Sequence, residues 1–531
     1  MTATSRRGVL AANIVAILCG ALLLFLVQPI VARTLLPALG GSPSVWATCM
    51  VFFQLLLLAG YAYAHLLTTR LGNRAQRVVH LAVWAAGWFF LSFEWGEPAA
   101  GAAPVGWMLG TLVKGIGMPF FALSATGPLV QRWFSQSRHR KAHDPYFLYA
   151  ASNAGSLVAL LGYPLLFEPA LGLTSQREVW SWVYLAYGAC VAAAGWVSLA
   201  PKSTGASSAP ADPAPAARRR LTWVALAAVP SSLFLGVTQH VTTQVVTFPL
   251  LWVVPLAIYL ATLIVAYTRH GEAARRWGDR ALPPLVLIVV FLIAYESPRF
   301  IVAQVLAHFL ALAAVGLSLH GRLAALRPGV GRLTEYYLWT SFGGALGGVF
   351  NALLAPVVFT AVLEYPCALA LACFLRMVAE PKRKWPVDLA LAAALFGVFL
   401  ATRQFTDDRA WRFGLPCIAA LMYWPRARRL ALGVLVLLCM PSFELRTHYE
   451  VVHQERTFFG VHRVLRQDTQ LGPIHWLFHG LTVHGQQFRE PKYRRRPTAY
   501  FDAAGPAGDI AAWLRMRDRK PRIVIVGLGA G

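Results

Sequence analysis

The chain has 531 residues, of which 57% are hydrophobic and 13% charged, against roughly 25% charged residues in an ordinary soluble domain. That balance excludes a single soluble domain and predicts a polytopic α-helical membrane protein. The net charge of +25 would suit a nucleic-acid binder, but the Lys and Arg are spread over short loops rather than gathered on one domain or stripe, so no nucleic-acid partner is expected.

Arg6 and Arg7 precede an apolar run that starts at Val9 and continues through Gln28-Pro29 without a small-residue cleavage site, which predicts a retained first span rather than a signal peptide. Six spans are predicted at 9–32, 44–68, 79–93, 104–130, 146–167 and 179–199. Residues 200–220, rich in Pro, Ala and Ser and ending in three arginines, predict a flexible linker. Six further spans fit at 221–241, 246–268, 281–296, 300–320, 333–356 and 361–379, and apolar stretches follow at 386–401, 413–424 and 429–441, for about fourteen spans in all. The last two stretches are short. They read as one broken helix, a re-entrant hairpin or two thin helices.

Basic residues fall in every second loop: Arg6 and Arg7, then Arg70, Arg74 and Arg77, then Arg132, Arg138, Arg140 and Lys141, then Lys202 and Arg218 to Arg220, then Arg269, Arg275, Arg276 and Arg280, then Arg322, Arg327 and Arg332, and Lys382 to Lys384. The intervening short loops carry only Arg33, Arg177 and Arg299, about 23 against about 3, which predicts a cytoplasmic N-terminus and linker in a bilayer. With an even number of spans the tail also returns to the cytoplasm. If 413–424 and 429–441 each cross, the number becomes odd and the tail emerges on the other side.

The two sets of six align with each other. Trp46 falls on Trp252 and Tyr61 on Tyr267, while YFLYAASNAGSL from Tyr146 faces EYYLWTSFGGAL from Glu335, with Ser152 on Ser341 and Gly155 on Gly344. The pattern resembles the repeated halves of major-facilitator transporters, as does the basic loop TRLGNRAQR, although Thr69 stands where that signature has an acidic residue.

From about Phe443 polar residues return. Alternation in RTFFGVHRVL (Arg456 to Leu465) and WLFHGLTVHG (Trp476 to Gly485) predicts strands of a soluble domain, and the chain ends on a strand, Ile523 to Val526, running into Gly527, Gly529 and Gly531. Such glycines suit either a nucleotide-binding turn or an ordinary tight turn.

The order ERTFFGVHRVL, LFHGLTVHGQQF, RRPTAYF, VIVGLGAG resembles the amino-terminal half of the spermidine synthase family. The whole chain, most specifically Gln28 to His65, resembles bacterial proteins that fuse a major-facilitator-like membrane region to a spermidine-synthase-like domain. The organisation this implies is a first membrane half at 1–199, a cytoplasmic linker at 200–220, a second half at 221–380, additional membrane helices at 381–442, and an incomplete α/β methyltransferase-like (spermidine synthase) domain at 443–531, in a bacterial inner membrane.

The resemblance implies aminopropyl transfer from decarboxylated S-adenosylmethionine, as co-substrate rather than tightly bound cofactor, to a diamine. Gln487, Gly527, Gly529 and Gly531 would hold the nucleoside and Tyr500 would line the amine site. The chain departs from the family at Tyr500-Phe501-Asp502, where soluble synthases have Tyr-His-Glu, and at its His-Gly strand, where they have Asp-Gly. Because it stops at Gly531, before the following helix, the ribose carboxylate and the catalytic acids, the expectation is a truncated and inactive synthase. The alternative is a major-facilitator-like transporter or ligand-binding membrane protein without catalysis. Implied partners are the lipid bilayer and a polyamine or nucleoside ligand, with a homodimer left open.

Other residues carry plainer expectations. His479 and His484, five apart on one expected strand, would point to opposite faces and share no metal. Lys114 and Glu364 would snorkel at helix breaks. Trp46, Tyr61, Trp252 and Tyr267 would form an interfacial belt or pack locally. The seven cysteines lie in apolar segments without metal-like spacing.

Overall fold

A computed structural model describes residues 3–41, 43–98, 103–198, 213–245, 251–295, 300–376, 385–457, 460–479, 482–517 and 522–524. Apolar runs become helices because a backbone in lipid must satisfy every N–H and C=O internally. The first six are α1 Ala3–Leu39, α2 Pro43–Arg70, α3 Asn73–Phe89, α4 Pro104–Ser135, α5 Phe147–Ala170 and α6 Leu173–Val197. The next six are α7 Ala217–Val245, α8 Val253–Ala266, α9 Gly271–Tyr295, α10 Ile301–Ala325, α11 Val330–Val358 and α12 Glu364–Leu375. Three more follow, α13 Trp385–Phe405, α14 Arg409–Ala420 and α15 Ala427–His448.

Among the described residues nine helices are long and apolar enough to cross a membrane, with α8 and α12 apolar but shorter. This is fewer than the fourteen spans expected; α3 and α14 have only 17 and 12 residues, and α6 and α15 are not among the nine. They are nevertheless packed into the bundle. α6, for example, buries Trp180, Tyr184 and Tyr187.

The packing of the first six helices recurs in the second six. α1 packs on α5 and α6 as α7 packs on α11 and α12; α2 packs on α4 as α8 packs on α10; α3 packs on α4 as α9 packs on α10. The sets meet through α2 against α11 and α5 against α8, two contacts that exchange when the sets are exchanged. Matching π-turns interrupt α5 at Tyr163–Phe167 and α11 at Phe350–Leu354, each containing or just preceding a proline (Pro164, Pro356) that cannot donate to the helical ladder. Glycine allows the tightest approach: a methyl on Gly347 of α11 would lie 2.5 Å from the Ala228 carbonyl oxygen of α7.

The arginine-rich loops gather at one end. Arg132 donates to Val330 O at 3.1 Å, Arg219 to Leu326 O at 3.0 Å, and Arg220, Arg322 and Arg327 pair with Glu335, Asp279 and Asp144. α11 leaves this end at Val330 and, at 1.5 Å per residue, finishes roughly 40 Å away at Val358.

The tail lies at that far end, which overturns the expectation that it shares a side with the arginine-rich loops. α14 starts beside the far end of α9, where Arg409 donates to Ala294 O at 2.9 Å, and the turn after it returns to the arginine-rich end, where Trp424 O accepts from Arg376 at the close of α12. α15 starts there with Arg429 on Asp388 of α13 at 2.6 Å and finishes at the far end with Glu444 on Arg412 at 2.6 Å. The stretches 413–424 and 429–441 therefore run across separately, and the count of traverses is odd.

Beyond α15 four strands, β1 Glu450–Thr457, β2 Gly460–Thr469, β3 Gly472–His479 and β4 Thr482–Phe488, form an antiparallel meander in the order 1-2-3-4, followed by α16 Pro506–Arg517. Gly472, at φ +98°, makes the tight β2–β3 reversal that a side chain would strain. Gln454 of β1 donates to Thr360 O at 2.9 Å and Arg456 to Ala361 O at 2.8 Å, so the sheet docks on the segment joining α11 to α12. A methyltransferase-like parallel sheet is not seen among the described residues, and 522–524, the described part of the expected last strand, are not in a strand.

Candidate functional site

Where α2, α5, α8 and α11 converge the bundle encloses a cavity of about 170 Å³. Along α2 its wall runs from Met50 to Tyr61, and α1, α4, α7 and α10 complete it. Most of the wall is apolar, with Phe25, Phe53, Phe120, Phe234 and Tyr259 supplying rings, and the polar groups are Gln28, Gln54, Ser152, Asn153, Ser156, His320, Thr340 and Ser341. No carboxylate, guanidinium or ammonium occurs among the described lining residues.

Both ends are closed by aromatic side chains. One helical turn beyond Met50, Trp46 of α2 meets Trp252 at the start of α8 with ring centroids 3.7 Å apart. Towards the arginine-rich end, Tyr149 stacks on Tyr337 at 5.1 Å and meets Tyr267 edge-on at 4.9 Å. Hydrogen bonds fix these rings: Tyr267 to Tyr336 at 2.5 Å, Tyr336 to Leu323 O at 2.9 Å, Tyr337 to Gln131 at 2.6 Å and Tyr146 to Pro328 O at 3.0 Å. Trp46 and Tyr267 are therefore not membrane-belt residues: they are only 9% and 7% exposed. Together with Trp252 and Tyr61 they lie on the seam between the halves.

Some of the cavity's polar groups satisfy their own helices: Asn153 donates to Tyr149 O at 2.8 Å and Ser156 to Ser152 O at 3.1 Å. Others keep an atom without a hydrogen-bond partner, namely Gln54 Oε1, His320 Nε2 and Ser341 Oγ.

The nucleoside and amine residues expected from the sequence are not brought into such an enclosure. Gln487 is exposed on β4 opposite His475, and Tyr500 is 55% exposed, its hydroxyl donating to Val483 O at 2.8 Å. Gly527, Gly529 and Gly531 lie outside the described residues.

His479 lies on β3 and His484 on β4, paired neighbours rather than one strand, and their rings approach to 5.7 Å. His462 stacks on His479 at 4.7 Å. Among the described residues no group of three His, Cys, Asp or Glu could hold a metal. His475, nearby on β3, has its pKa lowered, by partial desolvation first and then by Arg489 and Arg466.

Lys114 is exposed at the π-turn Val113–Gly117, whereas Glu364 does not snorkel. It is fully buried against Arg456 at 2.7 Å. The repeat alignment had already paired Ser152 with Ser341, and both line the cavity. No sequence motif singles out Gln54 or His320; the signal that marks them is an uncharged polar residue within an apolar run.

No family model matches the chain, and no curated protein matches it. Among solved structures it is similar to the human organic anion transporter MFSD10 (TETRAN), at 14% identity and a TM-score of 0.43, over 83% of this chain and 99% of that one. A likeness at that level carries no inference about this chain.

Proposed function

We propose that this protein is a membrane transporter of major-facilitator-like build that passes a small solute through the central cavity. The supporting observation is the cavity itself: a mixed polar and apolar wall shared by two sets of six helices that pack alike, with aromatic closures at both ends. The sets meet chiefly through two helix pairs, α2 with α11 and α5 with α8. Rocking about those pairs would part the tryptophans while the tyrosines stay closed, or the reverse, which is the motion alternating access requires. The arginine distribution orients the tyrosine end towards the cytoplasm and the sheet towards the opposite compartment. That orientation separates the sheet from cytoplasmic adenosyl compounds, so aminopropyl transfer finds no support in it.

Reactivity of a cavity cysteine tests this reading without a known solute. In a chain whose seven cysteines are replaced, Ser152→Cys should react with a membrane-impermeant methanethiosulfonate applied from either side of sealed vesicles. Reaction from one side only, or from neither, would fit a fixed anchor or receptor and reject transport.

A further inference from the structure

Resting on the transport reading, we infer that the solute is an uncharged molecule with an apolar body and a head that donates hydrogen bonds, held by Gln54, His320 and Ser341. The three come from α2, α10 and α11, line one cavity, and each retains an unpartnered polar atom. His320 is only 1% exposed. Buried polar atoms are rarely left without partners; Gln54 Oε1 abuts Gly348 of α11, so a ligand that pairs all three draws that side chain into the cavity.

The hydrogen-bond chains fix what the free atoms want. Thr262 Oγ1 donates to Tyr259 O at 2.8 Å, so its contact with His320 Nδ1 at 3.0 Å must be one in which the ring donates. A neutral imidazole protonated at Nδ1 leaves Nε2 as an acceptor. Ser231 Oγ likewise donates to Gly344 O at 2.8 Å, so it accepts from Gln54 Nε2 at 3.3 Å, and the free Gln54 Oε1 is an acceptor too. Ser341 can serve either way. Two acceptors and a hydroxyl call for a donor-bearing head, such as a primary amide or a hydroxyl, and the rings of Phe25, Phe53, Phe120 and Phe234 suit an apolar body.

A cation also donates, but it would surrender its hydration on a wall without a carboxylate. Glu335 and Glu364, at opposite ends of α11 and its following segment, are already committed, the first to Arg220 and Arg332 and the second to Arg456. Attraction to aromatic faces is a weaker compensation than a counter-ion, so a polyamine is a poor fit.

Four probes applied to the full chain in lipid nanodiscs separate these features: 3-phenylpropanamide, its N,N-dimethyl derivative, 3-phenylpropylammonium and spermidine. The primary amide should bind at least about ten-fold more tightly than the other three. Ser341→Ala and Gln54→Met should each weaken its binding by about five- to ten-fold while the ligand-free melting temperature shows that the fold is kept. Equal or tighter binding of the dimethyl amide, the ammonium or spermidine would overturn the inference, as would failure of the primary amide to bind or its unchanged affinity in both variants. Flux in vesicles is read separately: amide binding without flux rejects transport alone, whereas spermidine flux rejects the solute class and leaves transport standing.

Discussion

Trp46 and Trp252, which occupy equivalent positions in the two sets of six helices, lie ring against ring at 3.7 Å across the seam between the sets. Equivalent residues touch each other in this way where a two-fold relation carries each onto the other. They stand one helical turn beyond the cavity residue Met50, at that end of the cavity.

Cross-linking should hold that end shut. Trp46→Cys with Trp252→Cys, joined by a short bifunctional thiol reagent that reductant can cleave, should abolish modification of a Ser341→Cys cavity site from the tryptophan end. Reductant should restore it. Undiminished modification in the cross-linked protein would mean that the solute route avoids this pair.

Among the contacts that anchor the sheet is a desolvated ion pair, Glu364 with Arg456, whose side chains are 0% and 4% exposed. Removing one partner of such a pair leaves a buried charge, at a cost of about 3–5 kcal/mol, while replacing both by apolar groups is often close to neutral. Arg456→Met should therefore release the sheet, measured as faster proteolysis between α15 and β1, and the double variant Glu364→Leu/Arg456→Met should recover most of the protection. Additive losses in the double variant would show that the anchorage lies elsewhere.

Asp468 at the β2–β3 turn and Arg140 between α4 and α5 belong to opposite ends of the bundle. In intact cells an impermeant maleimide should label Asp468→Cys and spare Arg140→Cys, with both labelled once the membrane is opened. The reverse pattern would invert the orientation, and labelling of both in intact cells would contradict the packing of α13 to α15.

Neighbouring glycines of α11 should respond oppositely to a methyl group. At Gly347 it would press on the Ala228 carbonyl oxygen and, at 2.8 Å, on Ser232 N, both backbone atoms that cannot move aside, so Gly347→Ala should destabilise by about 1–3 kcal/mol. At Gly344, on the cavity wall, it meets nothing within 4 Å. Gly344→Ala should keep or slightly raise the melting temperature, because alanine favours helix by up to about 1 kcal/mol, while narrowing the cavity and weakening solute binding. A fall in melting temperature for Gly344→Ala equal to that for Gly347→Ala would show that both glycines serve helix contact.

The sequence by itself determined the membrane class, the alternation of arginine-rich loops and the pairing of Trp46 with Trp252 and Ser152 with Ser341. These are legible because a bilayer imposes its demand on each stretch of about 20 residues separately, and because a repeat is a comparison of the chain with itself. Only the tertiary structure decided on which end the sheet lies, since 413–424 and 429–441 are too short to declare their crossings. That question turns on Arg376 finding Trp424 O and Glu444 finding Arg412, over 48 and 32 residues. The same holds for His479 and His484, which lie on neighbouring strands, and for Glu364, whose partner is 92 residues away. Gln54, His320 and Ser341 look alike in sequence to polar groups that satisfy their own helices. Which of their atoms remain free depends on hydrogen bonds between helices, and no local pattern records those.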